Sequence, residues 1–60
     1  MAADNRRKKI LELLDKNGSV RVTELSEMLD ISEVTIRTDL ADMESKGLLT
    51  RVHGGAVSSY

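Results

Sequence analysis

The chain has 60 residues, with nine Lys and Arg against ten Asp and Glu and a net charge of −1, so it can form one small domain with a modest core. It has no cysteine, which excludes disulfide bonds and thiolate zinc sites, and apolar runs such as Leu13-Leu14 are far too short to span a membrane. We therefore expect a single domain over residues 1–60, held together by aliphatic packing, in the cytoplasm and without membrane association.

A first helix and a short strand are predicted at the amino-terminal end. Either Asp4 or Asn5 can cap the helix, because a short polar side chain accepts from the free amides of the first turn. The apolar residues that follow at helical spacing are Ile10, Leu13 and Leu14. Gly18 suits the left-handed position at the helix end, and the alternation over residues 19–22 predicts a strand at one edge of a small sheet.

Two further helices are predicted, joined by a tight turn. Thr23 can cap the second helix, whose expected inward residues are Leu25, Met28 and Leu29. Ile31 is expected to fill the gap between the two helices. Ser32 can cap the third helix, which Gly47 ends and whose expected buried face is Ile36, Leu40 and Met43.

A hairpin follows the third helix. Residues 48–52 and 56–58 have the pattern of two strands, and His53, Gly54 and Gly55 lie between them. We expect both glycines to adopt positive φ in this turn. Three helices followed by such a hairpin predict a mainly α fold with a small β-hairpin, a winged helix-turn-helix.

The third helix has an exposed stripe that carries no carboxylate. At about 100° per residue, the residues opposite the expected core are Val34, Thr38, Ala41 and Ser45. The major groove of B-DNA admits a helix, where Val34 and Ala41 can contact thymine methyl groups and Thr38 can hydrogen-bond a base edge. Arg37 can reach either a phosphate or a guanine, and the sequence does not decide between them. The alternative is a stripe that is merely small and exposed to solvent.

Charge is distributed unevenly along the chain. Residues 1–22 have a net charge of +3, whereas residues 23–46 have a net charge of −5. The basic residues of the first helix that can contact DNA phosphates are Arg6, Arg7, Lys8 and Lys9, and such contacts would add salt-dependent affinity. They can equally form a solvated face. We expect Asp39 to pair with Arg51 or Arg37.

Hydroxyl groups and the hairpin tip are further candidates for DNA contacts. Thr23, Ser32 and Thr35 can bind phosphates or serve only as caps. His53 can contact a phosphate or the minor groove, or can be a turn residue without a partner. A metal site at His53 is not expected, because no second ligand lies near it in the sequence.

No enzymatic activity and no cofactor are expected. The chain has one histidine, no cysteine and no set of carboxylates that would line a pocket, so acid–base and nucleophilic mechanisms lack their residues. It also lacks the glycine-rich motifs of nucleotide-binding loops.

From Arg6 to Ala56 the chain resembles the DeoR-type family of bacterial transcriptional regulators. The resemblance rests on two runs at a defined distance, Ser32-x-x-Thr35-Ile36-Arg37-x-Asp39-Leu40 and Arg51-Val52-His53-Gly54-Gly55-Ala56. It implies an operator-reading winged helix-turn-helix of a repressor. In that family a larger carboxyl-terminal domain, absent from this sequence, binds a phosphorylated sugar or related metabolite, and the full-length proteins oligomerise. The family usually has a second arginine at the position of Thr38, which implies lower affinity or a different operator here.

Sequence-specific binding of double-stranded DNA, as part of a repressor of genes for sugars or related metabolites, is the function that these observations predict. The residues expected at the interface are Arg6, Arg7, Thr23, Ser32, Val34, Thr35, Arg37, Thr38, Ala41, Arg51, His53 and Gly54. The alternative is a winged helix that binds another protein, which the acidic flanks of the third helix would suit.

Overall fold

The computed structural model describes residues 3–59, so residues 1, 2 and 60 of the predicted domain lie outside it. Within that range, the elements in chain order are α1 (Ala3–Asn17), β1 (Ser19–Arg21), α2 (Val22–Leu29), α3 (Glu33–Ser45), β2 (Thr50–Val52) and β3 (Gly55–Val57). Strand β3 lies between β1 and β2 and is antiparallel to both. The predicted winged helix-turn-helix is confirmed, with β2 and β3 as the wing. None of the helices in residues 3–59 has the length and apolar character needed to cross a bilayer.

The core is aliphatic and draws on all three helices and the sheet. Its buried residues are Ile10, Leu14, Val20, Val22, Leu25, Ile36, Leu40, Met43, Leu49 and Ala56. The predicted buried face of α3 is confirmed, and Ile31 packs half-buried against the core. The prediction for Met28 is wrong, since its side chain is 57% exposed. Because α2 turns Val22 and Leu25 inward, Met28 falls on its flank.

The starts of α1 and α2 differ from the sequence prediction. Helix α1 already includes Asp4 and Asn5, so neither residue caps it. Helix α2 begins at Val22, and no side chain caps it. The predicted Thr23 cap is wrong because the Val22 amide donates to the Gly54 carbonyl oxygen of the wing, at 2.9 Å. A contact from the turn of the wing thus replaces the expected local cap.

The turn between α2 and α3 is closed by hydrogen bonds. Asp30 adopts the left-handed conformation, with φ of 54°. The Ser26 hydroxyl donates to the Ile31 carbonyl oxygen at 2.6 Å, and the Ile31 amide donates to the Ser26 carbonyl oxygen at 3.1 Å. Ser32 then caps α3 as predicted, its Oγ accepting from the Thr35 amide at 3.2 Å. These bonds fix where α3 begins relative to α2.

The two glycines of the wing have different roles. Gly54 has φ of +76°, as predicted for the hairpin turn. The same prediction is wrong for Gly55, which lies in β3 without a positive φ. A Cβ atom on Gly55 would lie 2.1 Å from the carbonyl oxygen of Val20, so only glycine allows β1 to approach β3 this closely.

Candidate nucleic-acid interface

Helix α3 presents its carboxylate-free side to solvent. Val34 is 69% exposed and Thr38 is exposed, whereas Ile36 and Leu40 are fully buried. The predicted orientation of the helix is therefore confirmed. We call the outward line of residues the α3 ridge: Val34, Thr38, Ala41 and Ser45. Ala41 is only half-buried, so its methyl group remains partly accessible.

The hydroxyl groups along α3 have defined partners. Thr38 Oγ1 donates to the carbonyl oxygen of Val34 at 3.0 Å, one helical turn earlier. Ser45 Oγ makes the same kind of bond, to the Asp42 carbonyl oxygen at 2.6 Å. At the amino-terminal end, Ser32 Oγ donates to Thr35 Oγ1 at 3.0 Å. Ser32 and Thr35 are thus adjacent at the helix start, where free amides and the helix dipole favour an anion.

Arg37 lies beside the ridge and is held by an exposed ion pair. Its Nη2 donates to Oε1 of Glu33 at 2.9 Å, one turn earlier on the same helix. Exposed pairs at this spacing contribute only a few tenths of a kcal/mol. The guanidinium group can therefore exchange Glu33 for a phosphate or a guanine at small cost.

Asp39 is the buried charge of this helix, with 2% of its surface exposed. Its carboxylate accepts from Nε and Nη2 of Arg6, the latter at 3.0 Å, and from Nε and Nη2 of Arg7, both at 3.3 Å. The prediction that Asp39 pairs with Arg51 or Arg37 is wrong. Asp39 lies next to the buried face of α3, and its carboxylate binds the two arginines of α1 instead.

Arg7 extends this cluster along α3. Its Nη1 donates to Asp42 Oδ2, which Lys46 Nζ also approaches at 3.1 Å. We call these residues the α1–α3 ion network: Arg6, Arg7, Asp39, Asp42 and Lys46. The Arg6 and Arg7 side chains, predicted to contact phosphates, are 13% and 27% exposed and already bind carboxylates. Lys8 and Lys9 are exposed instead.

The remaining predicted interface residues lie at the wing and at the start of α2. Arg51, His53 and Gly54 are exposed on the wing, and Thr23 is exposed in the first turn of α2. The Arg51 amide donates to Oε2 of Glu44 at 2.7 Å, which attaches β2 to the last turns of α3. The fold thus brings the ridge, Ser32, Thr35 and Arg37 together on α3 and attaches the wing to the end of that helix.

Comparison with known proteins identifies the family to which this chain belongs. The family model that describes the DeoR-like helix-turn-helix domain matches residues 6–59 of this chain. The chain belongs to the DeoR family. Its helix-turn-helix is that of DNA-binding transcriptional regulators, as the resemblance in the sequence implied.

Several curated relatives of this DeoR-family domain are repressors. It is 46% identical over 59 residues to the lactose phosphotransferase system repressor of Streptococcus mutans, covering 98% of this chain and 24% of that protein. It is 52% identical over 50 residues to the protein of that name in Staphylococcus epidermidis, covering 83% of this chain and 20% of that protein. The HTH-type transcriptional regulator GolR of Listeria innocua is 52% identical over 52 residues, 87% of this chain and 20% of GolR. The chain therefore spans a fifth to a quarter of these relatives, and no solved structure gives a significant match.

The α1–α3 ion network is the part of the DeoR-family domain that sequence reasoning missed. Asp39 and Arg6 are 33 residues apart, so no local spacing links them. The available signal was the position of Asp39 three residues after Ile36 and four before Met43, which makes it a neighbour of two buried residues on the helix surface. A carboxylate so placed needs a cation from another element.

The network makes stability depend on pH. Burial alone raises the pKa of Asp39, but the hydrogen bonds and charges of Arg6 and Arg7 outweigh it and hold this pKa below its ordinary value of 3.8. The stabilisation is thus fully present above about pH 4 and is lost as the pH falls through the lowered pKa of the folded state. The pKa of Asp42 is also lowered, first by the hydrogen bond from Lys46.

We expect the free energy of unfolding, measured by urea denaturation, to decrease below pH 4. A value that stays constant down to pH 2 would contradict this.

Proposed function

We propose that this DeoR-family domain binds an operator by inserting α3 into the major groove, with the α3 ridge against the base edges. The orientation of α3 is the observation that carries the proposal. The α3 ridge itself has no carboxylate, and the most buried acid of the helix, Asp39, is neutralised by Arg6 and Arg7. Keeping carboxylates off the ridge lowers the electrostatic repulsion between this acidic helix and a polyanion.

Contacts to the DNA backbone would orient the helix in the groove. Ser32 and Thr35, together with the free amides of the first turn, are suited to one phosphate. Thr23 is suited to a second phosphate at the start of α2. The wing residues Arg51, His53 and Gly54 would lie on the flanking backbone or minor groove. For Arg6 and Arg7 we propose a role that is first structural, through Asp39, with phosphate contacts limited to their exposed edges.

The regulatory role follows the relatives. Two of them are named lactose phosphotransferase system repressors, and we propose that this domain serves a repressor of genes for sugars or related metabolites. Recognition of a phosphorylated sugar and assembly into oligomers would belong to a carboxyl-terminal domain of the full-length protein. The domain itself would act in the cytoplasm without enzymatic activity.

Selection from a random duplex library, followed by a salt titration, tests the proposal. We expect the 60-residue chain to recover related duplexes, because the ridge presents base-reading groups. The logarithm of the association constant should fall linearly with the logarithm of salt concentration, by about 0.9 per phosphate neutralised. Fluorescence anisotropy with labelled duplexes measures this slope. A flat response, or no recovered duplex, would favour the alternative of a winged helix that binds protein.

The variant Arg37→Ala provides the matched comparison in the same titration. If Arg37 binds a phosphate, affinity should fall equally for all duplexes and the slope should decrease in magnitude by about 1. If Arg37 reads a guanine, preference should relax at one base pair. Unfolding stability should stay close to that of the parent chain, because the side chain is exposed.

A further inference from the structure

We propose that Thr38 and Val34 together select A·T base pairs, Thr38 accepting a hydrogen bond from the N6 amine of adenine while Val34 contacts a thymine methyl group. The inference rests on the proposed insertion of α3 into the major groove. It assigns two residues of the ridge to a defined base chemistry.

Thr38 can act only as an acceptor towards DNA while its bond to the backbone is kept. The carbonyl oxygen of Val34 has no hydrogen, so the Thr38 hydroxyl must donate its own in the 3.0 Å bond between them. The exposed Oγ1 then offers lone pairs alone. In the major groove, hydrogen-bond donors are the N6 amine of adenine and the N4 amine of cytosine, whereas guanine and thymine present acceptors. Thr38 therefore favours adenine or cytosine.

Val34 decides between these two bases. It lies one turn before Thr38 on the same face, and such neighbours are about 5–6 Å apart, so we place the two side chains on the two bases of one pair. Its side chain is 69% exposed and apolar, so it gains from contact with an apolar group. The thymine methyl is the apolar group that the major groove presents, and a C·G pair has none. The two residues therefore fit one A·T pair, with Thr38 on the adenine and Val34 on its thymine.

Base analogues in a recovered duplex test the assignment directly. Purine in place of adenine removes the N6 amine, and uracil in place of thymine removes the methyl group. We expect Thr38→Val to bind the parent duplex roughly two- to tenfold more weakly, the effect of one hydrogen bond, and to be insensitive to the purine substitution. The Val34→Ala variant should likewise bind the thymine and uracil duplexes with equal affinity. The Thr38→Ser variant keeps the acceptor, so it should still bind the purine duplex more weakly than the adenine duplex.

Ser19→Ala is the control, since Ser19 carries an exposed hydroxyl group on β1 and lies outside the proposed interface. It should leave affinity and base preference unchanged, and circular dichroism should show all variants folded. Coupling between Thr38→Val and the purine substitution supports the inference. Equal losses by Thr38→Val on adenine and purine duplexes, or dependence on a cytosine amine, would overturn it while leaving DNA binding intact. If the parent chain recovers no duplex, the proposed function fails first and the inference falls with it.

Discussion

Replacing Asp39 with alanine is expected to lower the free energy of unfolding by about 3–5 kcal/mol, the usual cost of removing one partner of a buried ion pair. The variant removes the carboxylate that accepts two hydrogen bonds from the guanidinium group of Arg6, whose side chain is only 13% exposed. A chain of 60 residues has a total stability of roughly 3–9 kcal/mol. Urea denaturation followed by circular dichroism should therefore show that the variant loses a large fraction of the parent chain's free energy of unfolding at neutral pH.

Asp42→Ala is the matched control on the same helix and in the same network. The Asp42 side chain is 39% exposed, so water screens its interactions with Arg7 and Lys46 and its loss should cost much less. A second test replaces the buried pair by apolar residues, Arg6→Met with Asp39→Leu. That double variant should be more stable than Asp39→Ala, because the guanidinium group is removed together with the carboxylate that neutralises it. Similar losses for Asp39→Ala and Asp42→Ala would contradict the assignment of Asp39 as the buried anchor between α1 and α3.

The sequence predicts the elements of this fold well where their causes are local. The buried face of α3 follows from the helical period, and Ser32 caps the helix because a side chain and an amide three residues apart meet there. The positive φ of Gly54 is likewise a property of its own turn. These local features were sufficient to predict the orientation of the α3 ridge, on which the proposed function depends.

Several of the predictions that were wrong concern contacts between distant parts of the chain. The start of α2 is set by the Gly54 carbonyl oxygen, 32 positions beyond Val22, and not by Thr23. Gly55 is required by the backbone of Val20, not by its own φ. Asp39 had several possible cationic partners in the sequence. The packing of α1 against α3 selects Arg6 and Arg7. The geometry of that packing cannot be read from a single sequence.

Leu40→Ala is expected to cost about 2–5 kcal/mol, the range for truncating a buried leucine. Leu40 is 1% exposed and packs in the core that α3 shares with the other helices and the sheet. A loss of this size is comparable with the whole stability of so small a domain. Thermal and urea unfolding measure it, and binding to every duplex should weaken together because the folded population decreases.

Val34→Ala, six residues earlier on the same helix, separates stability from recognition. Its side chain is 69% exposed, so the change in unfolding free energy should stay within about 0.5 kcal/mol. Binding should change only where a thymine methyl is contacted. If Val34→Ala instead destabilised the chain as much as Leu40→Ala, α3 would have to be rotated so that the ridge faced the core. The contrast between these two variants therefore tests the orientation of α3 by stability alone, before any DNA is added.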